Sequence, residues 1–206
     1  GIKSFELLEN EFFKSKRSIT NDLDNCLLVD QRRIFEPESR ENEDALLLYT
    51  SGTSGPAKGV KITFANLKSS IETMIHAWKW TSDDKILSTL PLNHFSGLVY
   101  CLLTQYYVGA QVHLLPKFDA KSVWAKLLDE SNTINAFIGV PTIFVNLVSY
   151  YKANRREFGN EQLLKDTLRK KLRLIGTGSA ALNVKTYQEW YDITNYKIVE
   201  RYGMTE

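Results

Sequence analysis

From residue 85 onward, short apolar runs alternate with amphipathic stretches, and this alternation limits the available folds more than any other feature. Residues 85–90 read as a strand, 98–107 as a helix and 111–115 as a strand. Asp119 is placed to cap a helix running to residue 128, and 135–140 is the next strand. A helix follows over 142–151, then a polar one over 161–170. Residues 172–176 read as strand, Asn183 as the cap of a helix to about residue 193, and 197–200 as the last strand. Strands separated by helices build βαβ units with right-handed crossovers, so the expected class is α/β, a mainly parallel sheet with flanking helices. Earlier, 60–63 reads as a short strand entering a helix. Its Leu67, Ile71, Met74, Ile75 and Trp78 form one apolar stripe and read as core packing. Residues 1–44 are charged and irregular, with 36–44 a solvated linker and Cys26-Leu27-Leu28-Val29 a possible short strand. The expected division is therefore an irregular segment 1–44 and an α/β domain over 45–206.

Ligands on parallel sheets bind beyond the carboxyl ends of the strands. Three segments are expected there, on one sheet edge. The first is Tyr49-Thr50-Ser51-Gly52-Thr53-Ser54-Gly55-Pro56-Ala57-Lys58-Gly59, directly after the apolar run Ala45-Leu46-Leu47-Leu48. From Thr50 to Gly59 it holds four hydroxyl side chains, three glycines and one lysine. Hydroxyls and glycine N–H groups wrap phosphate oxygens, and a lysine adds a point charge on a flexible stem. It is not a Walker A loop, because Lys58 is followed by Gly59 and Val60 where that loop has Ser or Thr. The second segment, Gly176-Thr177-Gly178-Ser179-Ala180-Ala181, follows Ile175. Read as a dinucleotide loop it fails, with Ala181 in the third glycine position and Lys197 where an acidic ribose partner belongs. The third, Glu200-Arg201-Tyr202-Gly203-Met204-Thr205-Glu206, follows Val199 and closes the sequence.

Together, in this order, the three segments resemble the motifs of the adenylate-forming superfamily, which includes acyl-CoA synthetases, luciferases and peptide-synthetase adenylation domains. Ser54 stands where that family more often has Thr, and Ala57 and Ala181 where Pro is common. The resemblance implies an internal part of the large N-terminal domain, with the C-terminal domain outside these residues. It further implies that Thr50, Ser51, Gly52, Thr53, Ser54, Gly55 and Lys58 hold the β- and γ-phosphates of ATP. Gly178, Ser179, Ala180 and Ala181 would face adenine opposite Tyr202, with Gly203 and Met204 beside it. Thr205 would reach the α-phosphate, and Glu206 would bind Mg²⁺. Thr205, Glu206 and Lys58 are the implied catalytic residues. The implied reaction joins a carboxylic acid to AMP with release of pyrophosphate, and coenzyme A then takes the acyl group. Such a site must supply positive charge before two anions meet.

Arg201 bears on which acid. Relatives that activate long chains usually carry a small residue there, and a guanidinium in an acyl pocket is costly unless it meets an anion. A second carboxylate, as in malonate or methylmalonate, answers that need, with His94 and Ser179 as further donors. With Pro91-Leu92-Asn93-His94-Phe95-Ser96-Gly97 and Val140-Pro141-Thr142-Ile143-Phe144, the segment resembles malonyl-CoA synthetases. Other readings stay open. Arg201 pairs with Glu200 or a neighbouring strand, and His94 is a structural residue. The acid is medium-chain or aromatic, or the sequence is a truncated piece that only binds nucleotide.

The 26 basic and 24 acidic residues give a net charge of +2, which offers no electrostatic case for nucleic acid or an anionic membrane. Residues 86–116 contain no charged side chain, yet polar residues and Pro91 keep every apolar run far below the ~20 residues of a membrane span. Small-molecule substrates are the expected partners. Cys26 and Cys101 form no metal or CxxC spacing, which suits a reducing compartment. The expected location is intracellular, the mitochondrial matrix by resemblance, with the cytoplasm as the alternative. With Glu206 ending a motif, the sequence reads as a piece of a longer chain with little activity by itself.

Overall fold

The computed structural model describes residues 40–50 and 56–205. The segment at Cys26-Leu27-Leu28-Val29, the residues Ser51, Gly52, Thr53, Ser54 and Gly55, and Glu206 lie outside the described residues. The chain divides into two compact units, Gly1–Leu47 with Lys61–Ser69 and Leu48–Val60 with Ser70–Glu206.

In the first unit the start of a helix is built locally. Thr63 accepts the Asn66 N–H on its hydroxyl at 3.2 Å, and Asn66 Oδ1 accepts the Thr63 N–H at 3.3 Å. This reciprocal pair is a capping box for α1 (Phe64–Trp78). Asp44 pairs with Lys61 at 2.6 Å, an exposed contact. Strands β1 (Asp44–Thr50) and β2 (Lys58–Thr63) form a two-stranded sheet of their own. Strand β1 is therefore not part of the main sheet, which corrects the expectation that all three segments follow strands of one sheet, while residues 51–55 themselves lie outside the described residues. Seven residues separate the two strands, and so near a partner has a small loop-closure cost compared with a remote strand.

The second unit carries the parallel sheet, in the order β4-β3-β5-β6-β7. Its strands are β3 (Lys85–Ser88), β4 (Gln111–Leu114), β5 (Ala136–Gly139), β6 (Leu174–Thr177) and β7 (Val199–Glu200), and every pairing is parallel. All residues of β5 and β6 are buried, as expected when both faces of a parallel sheet are covered. The covering helices are α3 (Ala120–Leu128), α4 (Pro141–Ala153), α5 (Glu161–Lys171) and α6 (Val184–Thr194). Asp119 accepts the Ser122 N–H at 2.7 Å and Asn183 the Lys185 N–H at 2.8 Å, so both expected caps are present. Asn160 caps α5 in the same way, through the Leu163 N–H. Between sheet and helices the Trp124 and Trp190 rings stack at 5.5 Å, with Phe144 edge-on to Trp190 at 5.3 Å. No helix among the described residues is long and apolar enough to cross a membrane.

One element differs in kind from its expectation. The helix expected over 98–107 is π-helical over Ser96–Leu103 and becomes α-helical only in α2 (Thr104–Val108). Two buried polar side chains account for the wider turn. Thr104 donates its backbone N–H and its hydroxyl to the Val99 carbonyl, the latter at 2.8 Å, and Gln105 Nε2 donates to the Tyr100 carbonyl at 3.2 Å. Both acceptors lie five residues back, the π spacing. Gly109, at φ 78°, then ends α2 in the left-handed conformation.

At the amino edge of the sheet, three side chains that precede three adjacent strands meet. Asp84 is 2% exposed and receives both Arg173 Nε and Nη2 at 2.6 Å. Asn135 Nδ2 donates to the same carboxylate at 2.9 Å, and the Thr81 N–H does so at 2.8 Å. Burial alone raises the pKa of Asp84, but the hydrogen bonds from Arg173, Thr81 and Asn135 outweigh it and hold the carboxyl below the usual aspartate range. A lowered folded-state pKa contributes stability above the unfolded value of about 3.9, and that contribution is lost as pH falls through the folded value. Replacing Arg173 by Ala leaves Asp84 buried without its counter-charge. Chemical denaturation of the complete protein should then show a loss of roughly 3 kcal/mol at neutral pH. The gap to the unsubstituted protein should narrow below about pH 4, because the stranded carboxyl then gains from protonation.

Candidate functional site

Beyond the carboxyl ends of β3, β6 and β7, three connections converge on one side chain. Arg201 follows β7 directly, and its N–H donates to the Thr177 carbonyl at 3.0 Å, extending the parallel ladder by one bond. Its guanidinium points back toward the segment after β3. There Nη2 donates to Ser96 Oγ at 2.8 Å, Nη1 lies 3.4 Å from the Tyr100 hydroxyl, and Cζ stands 4.1 Å from the centre of the Tyr100 ring. Ser96 Oγ is in turn 3.4 Å from Ser179 Oγ on the turn after β6. Ser179 is left-handed at φ 69°; it is exposed, like Ala180 and Ala181 after it, while Gly178 is buried. Two glycines leave space for the arginine. A Cβ on Gly178 would lie 3.0 Å from Arg201 Cγ, and one on Gly203 would lie 2.8 Å from Nη1.

The electrostatics of this cluster are unusual for a half-buried cation. Among the described residues no carboxylate pairs with Arg201. Glu200, the partner that the sequence left open, instead accepts the Leu182 N–H at 2.8 Å. Burial lowers the pKa of Arg201, against the smaller opposing influence of Tyr100 and Cys101. Arginine nevertheless stays charged at neutral pH. Burial likewise pushes the neighbouring Cys101 thiol up to about 12, which leaves it an inert core group.

Arg201 and Ser179 are thus joined through Ser96, and His94 sits exposed two residues earlier in the same segment. Tyr202 is 91% exposed beyond β7, with Gly203 and Met204 also exposed and Thr205 half-buried. Thr50 ends β1, and Lys58, expected inside a loop, is the exposed first residue of β2. Among the described residues no cluster of His, Cys, Asp or Glu is placed to hold a metal ion. Sequence reasoning missed Ser96 and Tyr100. Ser96 stood inside a segment singled out for His94 alone. Tyr100 lay in an uncharged stretch that reads as core.

The family described as AMP-binding enzyme matches residues 5–206. Human mitochondrial malonate–CoA ligase ACSF3 is 41% identical over 166 residues, which cover 80% of this chain and 29% of that protein. The chain therefore spans less than a third of the length of this curated relative. The crystal structure of ATP-bound MatB from Rhodopseudomonas palustris superposes with a TM-score of 0.68 at 32% identity, over 81% of this chain and 30% of that one. A malonyl-CoA ligase ternary product complex with methylmalonyl-CoA and AMP gives a TM-score of 0.71 at 33% identity, over 83% and 35%.

The approach of the π-helical turn to the preceding segment depends on Gly97. A Cβ there would lie 2.2 Å from the Pro91 carbonyl oxygen, a backbone atom that cannot move aside cheaply. Gly97→Ala should therefore destabilise the complete protein by about 2 kcal/mol in denaturant unfolding, from overlap. Gly109→Ala, where a Cβ would meet only Ser82 Cβ at 3.8 Å, should cost about 1 kcal/mol, from its positive φ alone.

Proposed function

Because the chain belongs to the family of AMP-binding enzymes, we propose that the complete protein is an acid–thiol ligase whose acid is malonate or methylmalonate. It activates the acid with ATP to an acyl-adenylate, releasing pyrophosphate, and transfers the acyl group to coenzyme A. The observation that carries the choice of acid is the half-buried Arg201 guanidinium with hydroxyl and ring partners but no carboxylate among the described residues. A desolvated cation without a counter-charge is costly, and the second carboxylate of a dicarboxylic acid supplies one in bidentate geometry. Ser179 and His94 add donors from the two flanking segments. The names of the malonate ligase and the methylmalonyl-CoA complex agree with this reading.

The nucleotide side follows from the same placement. The exposed Tyr202 ring and the exposed turn at Ser179, Ala180 and Ala181 lie beyond adjacent parallel strands, and this reading assigns both to the planar base. Thr50, Ser51, Gly52, Thr53, Ser54, Gly55 and Lys58 are assigned to the phosphates, Thr205 to the α-phosphate and Glu206 to Mg²⁺. A mitochondrial location is the reading that the human relative's name supports.

A pyrophosphate-coupled assay of the complete protein tests the assignment. Malonate should turn over in preference to octanoate, and Arg201→Gly should lower kcat/KM for malonate about a hundredfold, with a far smaller change for octanoate. Equal losses on both acids would refute the carboxylate role and favour a medium-chain or aromatic acid. The 206 residues alone should show almost no turnover, and robust activity from them would contradict this account.

A further inference from the structure

A cation that recognises an anion must be held still and yet be left unneutralised. We propose that Ser96 and Tyr100, on the π-helical turn Ser96–Leu103, are positioning residues that hold the Arg201 guanidinium in place and so set the preference for a dicarboxylic over a monocarboxylic acid. The inference rests on the assignment of Arg201 to the second carboxylate.

Arg201 has five N–H donors, of which Ser96 and Tyr100 engage one each, at 2.8 and 3.4 Å. Both acceptors are neutral hydroxyls, so the charge keeps its attraction for an anion, and among the described residues no carboxylate takes up the remaining donors. The Tyr100 ring, 4.1 Å beneath Cζ, adds a cation–π contact that also leaves the charge intact. Tyr100 is itself braced, because Phe95 meets its ring edge-on at 5.1 Å. The π register that carries both residues is pinned by the bonds from Thr104 and Gln105 to the carbonyls of Val99 and Tyr100. Rotamer freedom of the long side chain is thereby lost on folding rather than on substrate binding, which favours affinity. The same clamp acts against the wrong acid. With its head held, Arg201 cannot swing into water when an uncharged acyl chain arrives, and the desolvated cation is left without a partner.

Steady-state kinetics of the complete protein with malonate, butyrate and ATP separate the possibilities. The double variant S96A/Y100L should raise the malonate KM about thirtyfold while the ATP KM and kcat stay near their original values. Its kcat/KM for butyrate should hold or rise. Tyr100→Phe keeps the ring face and should stay within about threefold, and Ser96→Ala alone should raise the malonate KM about fivefold, which covers the case of a double variant that fails to fold. An unchanged malonate KM in S96A/Y100L, alongside a large loss in Arg201→Gly, would overturn the positioning role and leave the acid assignment standing. Equal losses on both acids in folded S96A/Y100L would also overturn it, as a merely structural effect. Indifference of Arg201→Gly to the choice of acid would overturn the assignment and this inference together.

Discussion

A single buried carboxylate sets the frame on which the site depends. Asp84 precedes β3, Asn135 precedes β5 and Arg173 precedes β6, and these are three neighbouring strands of the parallel sheet. The carboxylate takes hydrogen bonds from both other side chains, and Asn135 also donates its backbone N–H to the Lys85 carbonyl at 2.9 Å, accepts the Lys85 N–H on Oδ1 at 2.9 Å and accepts the Arg173 N–H on its carbonyl at 2.8 Å. A buried ion pair of this kind adds little net stability over well-packed apolar groups, because desolvation offsets the attraction. Its contribution is to register. A slip of one residue would exchange the two faces of a strand, and it would also strand the Asp84 charge. With the amino ends locked together, the carboxyl ends of β3 and β6, and of β7 beside them, emerge at defined heights.

The two ends of the sheet use arginine in opposite ways. Arg173 stands 4.6 Å from the Trp80 ring centre and Arg201 stands 4.1 Å from that of Tyr100, so each rests on an aromatic face. Arg173 meets a carboxylate within the fold, and its charge is spent on structure. Arg201 meets a serine, a tyrosine hydroxyl and space left by Gly178 and Gly203. Among the described residues the main difference is the counter-charge, which Arg173 has and Arg201 lacks. It separates a cation that closes the fold from one that meets only neutral groups.

Strands, helices and caps were largely legible in the residues themselves. The caps at Asp119 and Asn183 depend on contacts within one turn, and the buried Leu67, Ile71 and Met74 follow the helical period, so both came out as the pattern implies. The π-helical turn did not, since an apolar run gives the same periodic signal whether its carbonyls are met four or five residues on. Only the buried partners of Thr104 and Gln105 settle that choice. The separate β1–β2 sheet was equally hidden, because strand character says nothing about which strand becomes the neighbour.

By itself the sequence determined an α/β chain with a mainly parallel sheet, a Gly-, Ser- and Thr-rich segment after β1 and an arginine beside the last strand. A resemblance singled out Arg201, because relatives that activate long chains usually carry a small residue at that place. Only the tertiary structure decided that Ser96 and Tyr100, 105 and 101 residues away along the chain, hold it, and that Glu200 next to it does not. Local order follows from steric and hydrogen-bonding preferences between near neighbours, which the chain carries everywhere. Pairing across a hundred residues follows from how the strands stack, and that is fixed only when the whole core forms.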